Sequence, residues 1–157
     1  MSFKKALIIG STGTLGQAFI RKCKEQNIEF IGLSRKNNDY SIDLRKEGVV
    51  SNVISDSKPD IVVNCAAIVS LLECEKDKYS ASKVNHEVVN EIASTCSAKD
   101  IKFVQISTDH FYTKDKNKLH SETDQIHILN NYAKTKRGGE IEALNFSESL
   151  VIRTNIT

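Results

Sequence analysis

The chain has 157 residues, of which 39% are hydrophobic and 27% charged, enough to bury the core of one soluble globular domain. Its formal net charge of +2 is small and evenly spread. That argues against nucleic acid or a membrane surface as partner, while leaving room for a locally basic pocket that takes an anionic small molecule. Four cysteines, Cys23, Cys65, Cys74 and Cys96, form neither a CxxC pair nor a Cys/His ligand spacing. They read as reduced thiols of a cytoplasmic protein, without a disulfide framework and with no metal site.

The opening "MSFKKALIIG" places two lysines before an apolar run, but the run ends at Gly10 and no small-residue cleavage site follows. It is expected to be a first β-strand rather than a signal peptide. No window approaches the roughly 18 apolar residues of a membrane span. Residues 14–26 carry Leu15, Ala18, Phe19 and Lys22 at helical spacing, and Ile28–Ser34 reads as a second strand. A short strand over Tyr40–Leu44 and a helix over Gly48–Ser57, ending before Pro59, come next. The β-branched run Asp60–Ala67 is the strongest strand signal. A long helix over 79–99, a fifth strand over Ile101–Ser107, a charged loop over about 110–130, a helix carrying Tyr132 and Lys136, and a strand over Ser149–Thr154 complete the pass.

Strands that are continuously apolar and alternate with helices predict an α/β fold. The expected form is a doubly wound, Rossmann-type parallel sheet with helices on both faces. One NAD(P)-binding domain over 1–157 is expected, with the chain stopping short of a C-terminal substrate domain.

The stretch "GSTGTLG" puts Gly10, Gly13 and Gly16 between the first strand and the first helix. Glycines at such a turn permit a sharp bend and close backbone approach, and the helix N-terminus offers free N–H groups to a pyrophosphate. The second strand ends "GLSRK", with Ser34, Arg35 and Lys36 and no acid. A carboxylate there would suit a free ribose 2′-hydroxyl, whereas a guanidinium suits a 2′-phosphate. NADP(H) is therefore favoured, with NAD(H) left open. Asp43 and Leu44, after the third strand, are placed to reach an adenine edge.

Tyr132 and Lys136 stand four residues apart, on one face of a helix. An ammonium about 4 Å from a phenol in a shielded site is worth roughly 4 kcal/mol, about three pKa units, so Lys136 is expected to lower the pKa of Tyr132 and make it a proton donor. The strand end "ISTDHFY" lies upstream, and a hydroxyl at Ser107 or Thr108 there would face a ligand crevice.

Taken in order, "GSTGTLGQ", "PDIVVNCAA", Val84-Asn85, "ISTDHFY", "ETD" at 122–124, "NYAKTKRGGE" and "VIRTN" resemble the extended short-chain dehydrogenase/reductases, in particular the dTDP-4-dehydrorhamnose reductases. The resemblance covers essentially the whole chain. It implies hydride transfer from NADPH to the 4-keto group of a nucleotide-linked 6-deoxyhexose, with catalytic Thr108, Tyr132 and Lys136 and with Thr108 and Asp109 at the substrate. It carries cofactor contacts onto Gly10, Gly13, Thr14, Leu15, Gly16, Asp43, Leu44, Ala66, Ala67, Ile68, Tyr132 and Lys136, and a supporting role onto Asn85. A homo-oligomer is compatible with it. The sequence departs from the family at "STDHFY", where the pattern is "STDYVF", and at the apolar "IVSLLECE". His110, alone in a loop, reads as a solvated or packing residue. An epimerase or dehydratase of the same superfamily, or a non-catalytic NADP-binding regulatory subunit, are the alternative readings.

Overall fold

The structure, a computed structural model, describes residues 3–36, 38–115 and 118–155. Its strands are β1 (Lys5–Ile9), β2 (Glu29–Ser34), β3 (Tyr40–Ser41), β4 (Ile61–Asn64), β5 (Lys102–Thr108) and β6 (Ser149–Thr154). They form one parallel sheet in the order β3-β2-β1-β4-β5-β6. The order reverses between β1 and β4, and in a doubly wound sheet the crevice outside the strand ends at that switch point is where ligands bind. The register lines those ends up: Ile9 pairs with Leu33 and Asn64, and Asn64 with Gln105.

The helices are α1 (Thr14–Glu25), α2 (Val49–Ser57), α3 (Leu71–Lys76), α4 (Lys78–Ser82), α5 (Val88–Ala98) and α6 (Asn131–Leu144). A π-helical turn (Lys83–Glu87) joins α4 to α5, and a 3-10 turn runs from His110 to Asp115. Alternation along the strands sorts the core into two layers. Leu7, Ile9, Leu33, Val62 and Phe103 face α2, α5 and α6, whereas Ala6, Ile8 and Val63 face α1. The expected helices on both faces are present but unequal. Among the described residues α1 alone packs on the second face, and Leu150 and Ile152 on β6 stay exposed.

Three elements differ from the sequence-based expectation. The third strand shrinks to Tyr40–Ser41 because Asp43 turns the chain, its carboxylate taking the Arg45 backbone N–H at 3.0 Å. The helix expected over 79–99 is interrupted by the π turn, which brings buried Asn85 to the loop after β4. Helix α3 was not anticipated, although Ser70 and Glu73 carry its start signal: the Ser70 side chain accepts from the Glu73 N–H at 3.2 Å. Among the described residues, no helix is long and apolar enough to cross a membrane.

Candidate active site

The glycine turn leaves β1 with Gly10 at φ +81°, and a Cβ there would meet the Ala66 nitrogen at 2.7 Å. A Cβ on Gly16 would run into the Gly10 carbonyl oxygen and lie 2.7 Å from the Ser11 Cα. No side chain larger than hydrogen fits at either place, which presses the turn against the loop after β4. Gly13 is the N-cap of α1, whose first turn has no side-chain cap and no acid. The N–H groups of Thr14, Leu15 and Gly16 and the positive end of the helix dipole thus face the crevice. A bare, glycine-lined helix start of this kind fits a pyrophosphate.

Beside it, Ser34 is buried and its hydroxyl closes the loop after β2, donating to the Lys36 carbonyl and accepting from Asn38 Nδ2, each at 2.6 Å. Asn38 Oδ1 in turn accepts from Ser11 Oγ at 2.8 Å. Ser34 therefore shapes the rim, while Arg35 and Lys36 remain exposed on it. Asp43 is held by Arg45 through a 2.6 Å ion pair. Hydrogen bonding from Arg45 keeps the Asp43 carboxyl down at about 2. Leu44 is half-buried against the core beside it.

The loop after β4 is tied down by two buried asparagines. Asn64 Oδ1 accepts from the Ala66 N–H at 3.1 Å. Asn85 accepts from the Ile68 N–H at 2.8 Å and donates to the Ile68 carbonyl at 3.0 Å and to Thr135 Oγ1 at 3.2 Å. Ala66, Ala67 and Ile68 thereby form a fixed wall between the glycine turn and α6. Gly139 allows α6 this close, since a Cβ there would strike the Asn85 carbonyl.

Tyr132 and Thr108 come together as expected. Burial pushes the Tyr132 phenol above its ordinary pKa, hydrogen bonding from Thr108 opposes this, and Cys74 and Asp109 add to the rise. Lys136 does not act as expected. It is 4% exposed, and its Nζ donates to the Ile106 carbonyl on β5 at 2.8 Å. Burial brings its pKa down to about 8, with the Glu140 carboxylate opposing. Lys136 is not among the groups that shift the Tyr132 phenol, which burial raises, so the expected lowering of the tyrosine pKa is not seen. Ser107 and Thr108 are both buried, and of the two it is Thr108 that acts on the Tyr132 phenol.

Sequence reasoning missed the polar cluster behind this site. Glu140 is fully buried on α6, and its carboxylate accepts from Arg153 Nε and Nη2, each at 2.8 Å, and from Arg137 Nη1 at 2.7 Å. Burial pushes the Glu140 carboxyl up, and the arginines, Arg153 foremost, more than offset it. Arg153 also donates to the Tyr112 hydroxyl at 2.5 Å and lies 5.3 Å from the Phe111 ring centre. Its other side lines a cleft of about 540 Å³ that Thr108, Asp109 and His110 also border. Asn130 was missed as well, although an asparagine ahead of a helical pattern is a cap signal.

Strand order, switch-point crevice and glycine cradle define a Rossmann-type α/β domain. More particularly, the RmlD substrate binding domain family profile matches residues 4–156, and the chain belongs to that family. It is 30% identical over 156 residues to a dTDP-4-dehydrorhamnose reductase of Aggregatibacter actinomycetemcomitans, covering 98% of this chain and 51% of the relative. A crystal structure of a dTDP-4-dehydrorhamnose reductase from Clostridium acetobutylicum superposes with a TM-score of 0.87 at 28% identity, over 96% of this chain and 53% of that one. Methionine adenosyltransferase 2 subunit beta of Xenopus laevis is 29% identical over 153 residues, 95% of this chain and 45% of the relative. The chain thus spans about half the length of the relatives it matches.

Proposed function

We propose that residues 1–157 are the NAD(P)-binding domain of an NADPH-dependent reductase acting on a 4-keto-6-deoxy nucleotide sugar, in the manner of the dTDP-4-dehydrorhamnose reductases. The observations that support the reading are the uncapped glycine turn at the start of α1 and, at the end of β5, Thr108 and Tyr132 both in contact with His110. In this reading Gly10, Gly13, Thr14, Leu15 and Gly16 hold the pyrophosphate. Arg35, on the rim that Ser34 shapes, takes the 2′-phosphate, and Asp43 and Leu44 flank the adenine. Ala66, Ala67 and Ile68 line the path to the reacting end, where Tyr132 and Lys136 meet the ribose.

When bound, the dinucleotide supplies the hydride for the keto carbon. The chain supplies the rest. Thr108 holds the keto oxygen, Tyr132 donates the proton to it, and Asp109 borders the sugar. A buried phenol with a raised pKa is a weak acid, so the phenolate left behind needs a cation. The Lys136 ammonium gives one of its three N–H donors to the Ile106 carbonyl, which leaves two for the phenolate and the ribose. With its pKa near 8, Lys136 loses its charge as the pH rises past that value, so turnover is expected to decline on the alkaline side.

The relationship to an adenosyltransferase subunit favours one other reading, a non-catalytic NADP-binding subunit. NADPH oxidation by the full-length protein with a dTDP-linked 4-keto-6-deoxyhexose separates the two. The reductase reading predicts turnover that Tyr132→Phe reduces by about 10²–10⁴-fold. NADPH binding with no oxidation, or an undiminished Tyr132→Phe variant, would refute it.

A further inference from the structure

We propose that His110 is a positioning residue for Tyr132, acting through Asn130, and that it does so only while its ring is neutral. Asn130 is the N-cap of α6, and its Oδ1 accepts from the Ala133 N–H at 2.8 Å. A backbone N–H can only donate, so this bond fixes which end of the amide is which. Asn130 Nδ2 therefore faces His110 Nε2, at 2.9 Å. The ring nitrogen must be the acceptor, which assigns the neutral tautomer with its proton on Nδ1.

His110 touches the other two members of the site as well. Its backbone N–H donates to Thr108 Oγ1 at 3.1 Å, leaving the Thr108 hydroxyl proton free to point toward the phenol. Its ring meets the Tyr132 ring edge-on, with centres 5.7 Å apart and planes at 68°. One residue thus spans Thr108, the cap of α6 and Tyr132, which is the second residue of that helix.

Protonation turns Nε2 into a donor facing the donor Nδ2. Either the Asn130 amide turns over and releases the Ala133 N–H, or the ring swings away from Asn130. Both loosen the first turn of α6 and with it the phenol. The ionisable groups that touch the ring or share its cleft are Tyr132 on α6, Asp109 and Tyr112 on its own segment, Lys118, His120 and Glu122 from the following loop, and Arg153 from β6, while Glu75 of α3 takes the neighbouring Asn131 N–H at 2.7 Å. They are of mixed sign, so the switch rests on the donor–acceptor conflict rather than on net charge.

The inference stands on contacts within this chain. Its consequence for rate rests on the reductase reading, and the test separates the two. Two variants are compared with wild type by amide NMR: His110→Gln, which keeps an acceptor but takes up no proton, and His110→Phe, which keeps a ring but no acceptor. In wild type the Ala133 amide and Asn130 side-chain signals should move with pH at the midpoint of the His110 ring protons, and in His110→Gln they should stand still. In His110→Phe the Ala133 amide should exchange about fivefold faster, as for a weakened cap. In the full-length enzyme His110→Phe should lower kcat about tenfold with the sugar KM unchanged, a loss typical of slight misplacement, and His110→Gln should restore most of it.

Signals that titrate alike in wild type and His110→Gln, or unchanged exchange in His110→Phe, would overturn the positioning role. Asn130→Ala provides a second check if a His110 variant folds poorly, because it should abolish the pH response of Ala133 with His110 intact. A protein that shows the amide coupling but never oxidises NADPH would refute the reductase reading and leave the positioning role standing.

Discussion

The two halves of the crevice are built by different means. On the β1–β2–β4 side the backbone sets the close approach, since Gly10 and Gly16 allow two segments to touch, and the uncharged Ser11, Ser34 and Asn38 close the rim. On the β5–β6–α6 side the shape comes from polar side chains far apart in sequence. Asn85 joins Ile68 to Thr135, Lys136 reaches Ile106, and Glu140 clamps Arg153. A cradle for a constant ligand part can be a fixed surface. A site that moves a proton needs groups whose ionisation is tuned, and tuning takes buried neighbours.

Breaking the side-chain half should cost most. Glu140→Ala leaves Arg153 and Arg137 without their buried counter-charge, and denaturant unfolding should show a loss of about 3–5 kcal/mol. Gly16→Val tests the backbone half. Its new side chain collides with the Gly10 carbonyl, so stability should fall by about 3 kcal/mol. NADPH binding should be lost even in conditions where the variant stays folded.

Lys136→Met should act in the opposite direction, since it removes a buried charge, and below about pH 8 the variant should be more stable by on the order of 2 kcal/mol. The sign follows from the depressed pKa. Between about 8 and the ordinary 10.5 the unfolded chain holds a proton that the folded chain has released, so wild-type stability rises with pH across that window. The variant should lack this rise, and its advantage should vanish by the upper end. Arg45→Ala removes only an exposed pair with Asp43 and should leave the unfolding midpoint where it was.

The same contrast explains what the sequence could reveal. The strands, the glycine turn and most helices were legible because they depend on local patterns: apolar runs, periodicity and small residues at a bend. Thr108 and Tyr132 were legible as a pair from the ends of their elements. The direction of Lys136 was not, because helical spacing says which face a side chain is on and not which acceptor it finds across the sheet. Nor was the Glu140–Arg153 clamp, whose partners lie 13 residues apart and meet only when β6 joins β5. His110 looked like a loop residue because its partner, Asn130, is 20 residues away.

In the proposed reading the crevice binds a dinucleotide and prefers the 2′-phosphate. Fluorescence titration of the protein with NADPH and with NADH tests it most directly. NADPH should bind more tightly, by about tenfold for one charge-assisted contact at the rim, and Arg35→Ala should bring the two affinities together. Equal affinity for the two in wild type, or no binding of either, would contradict the account.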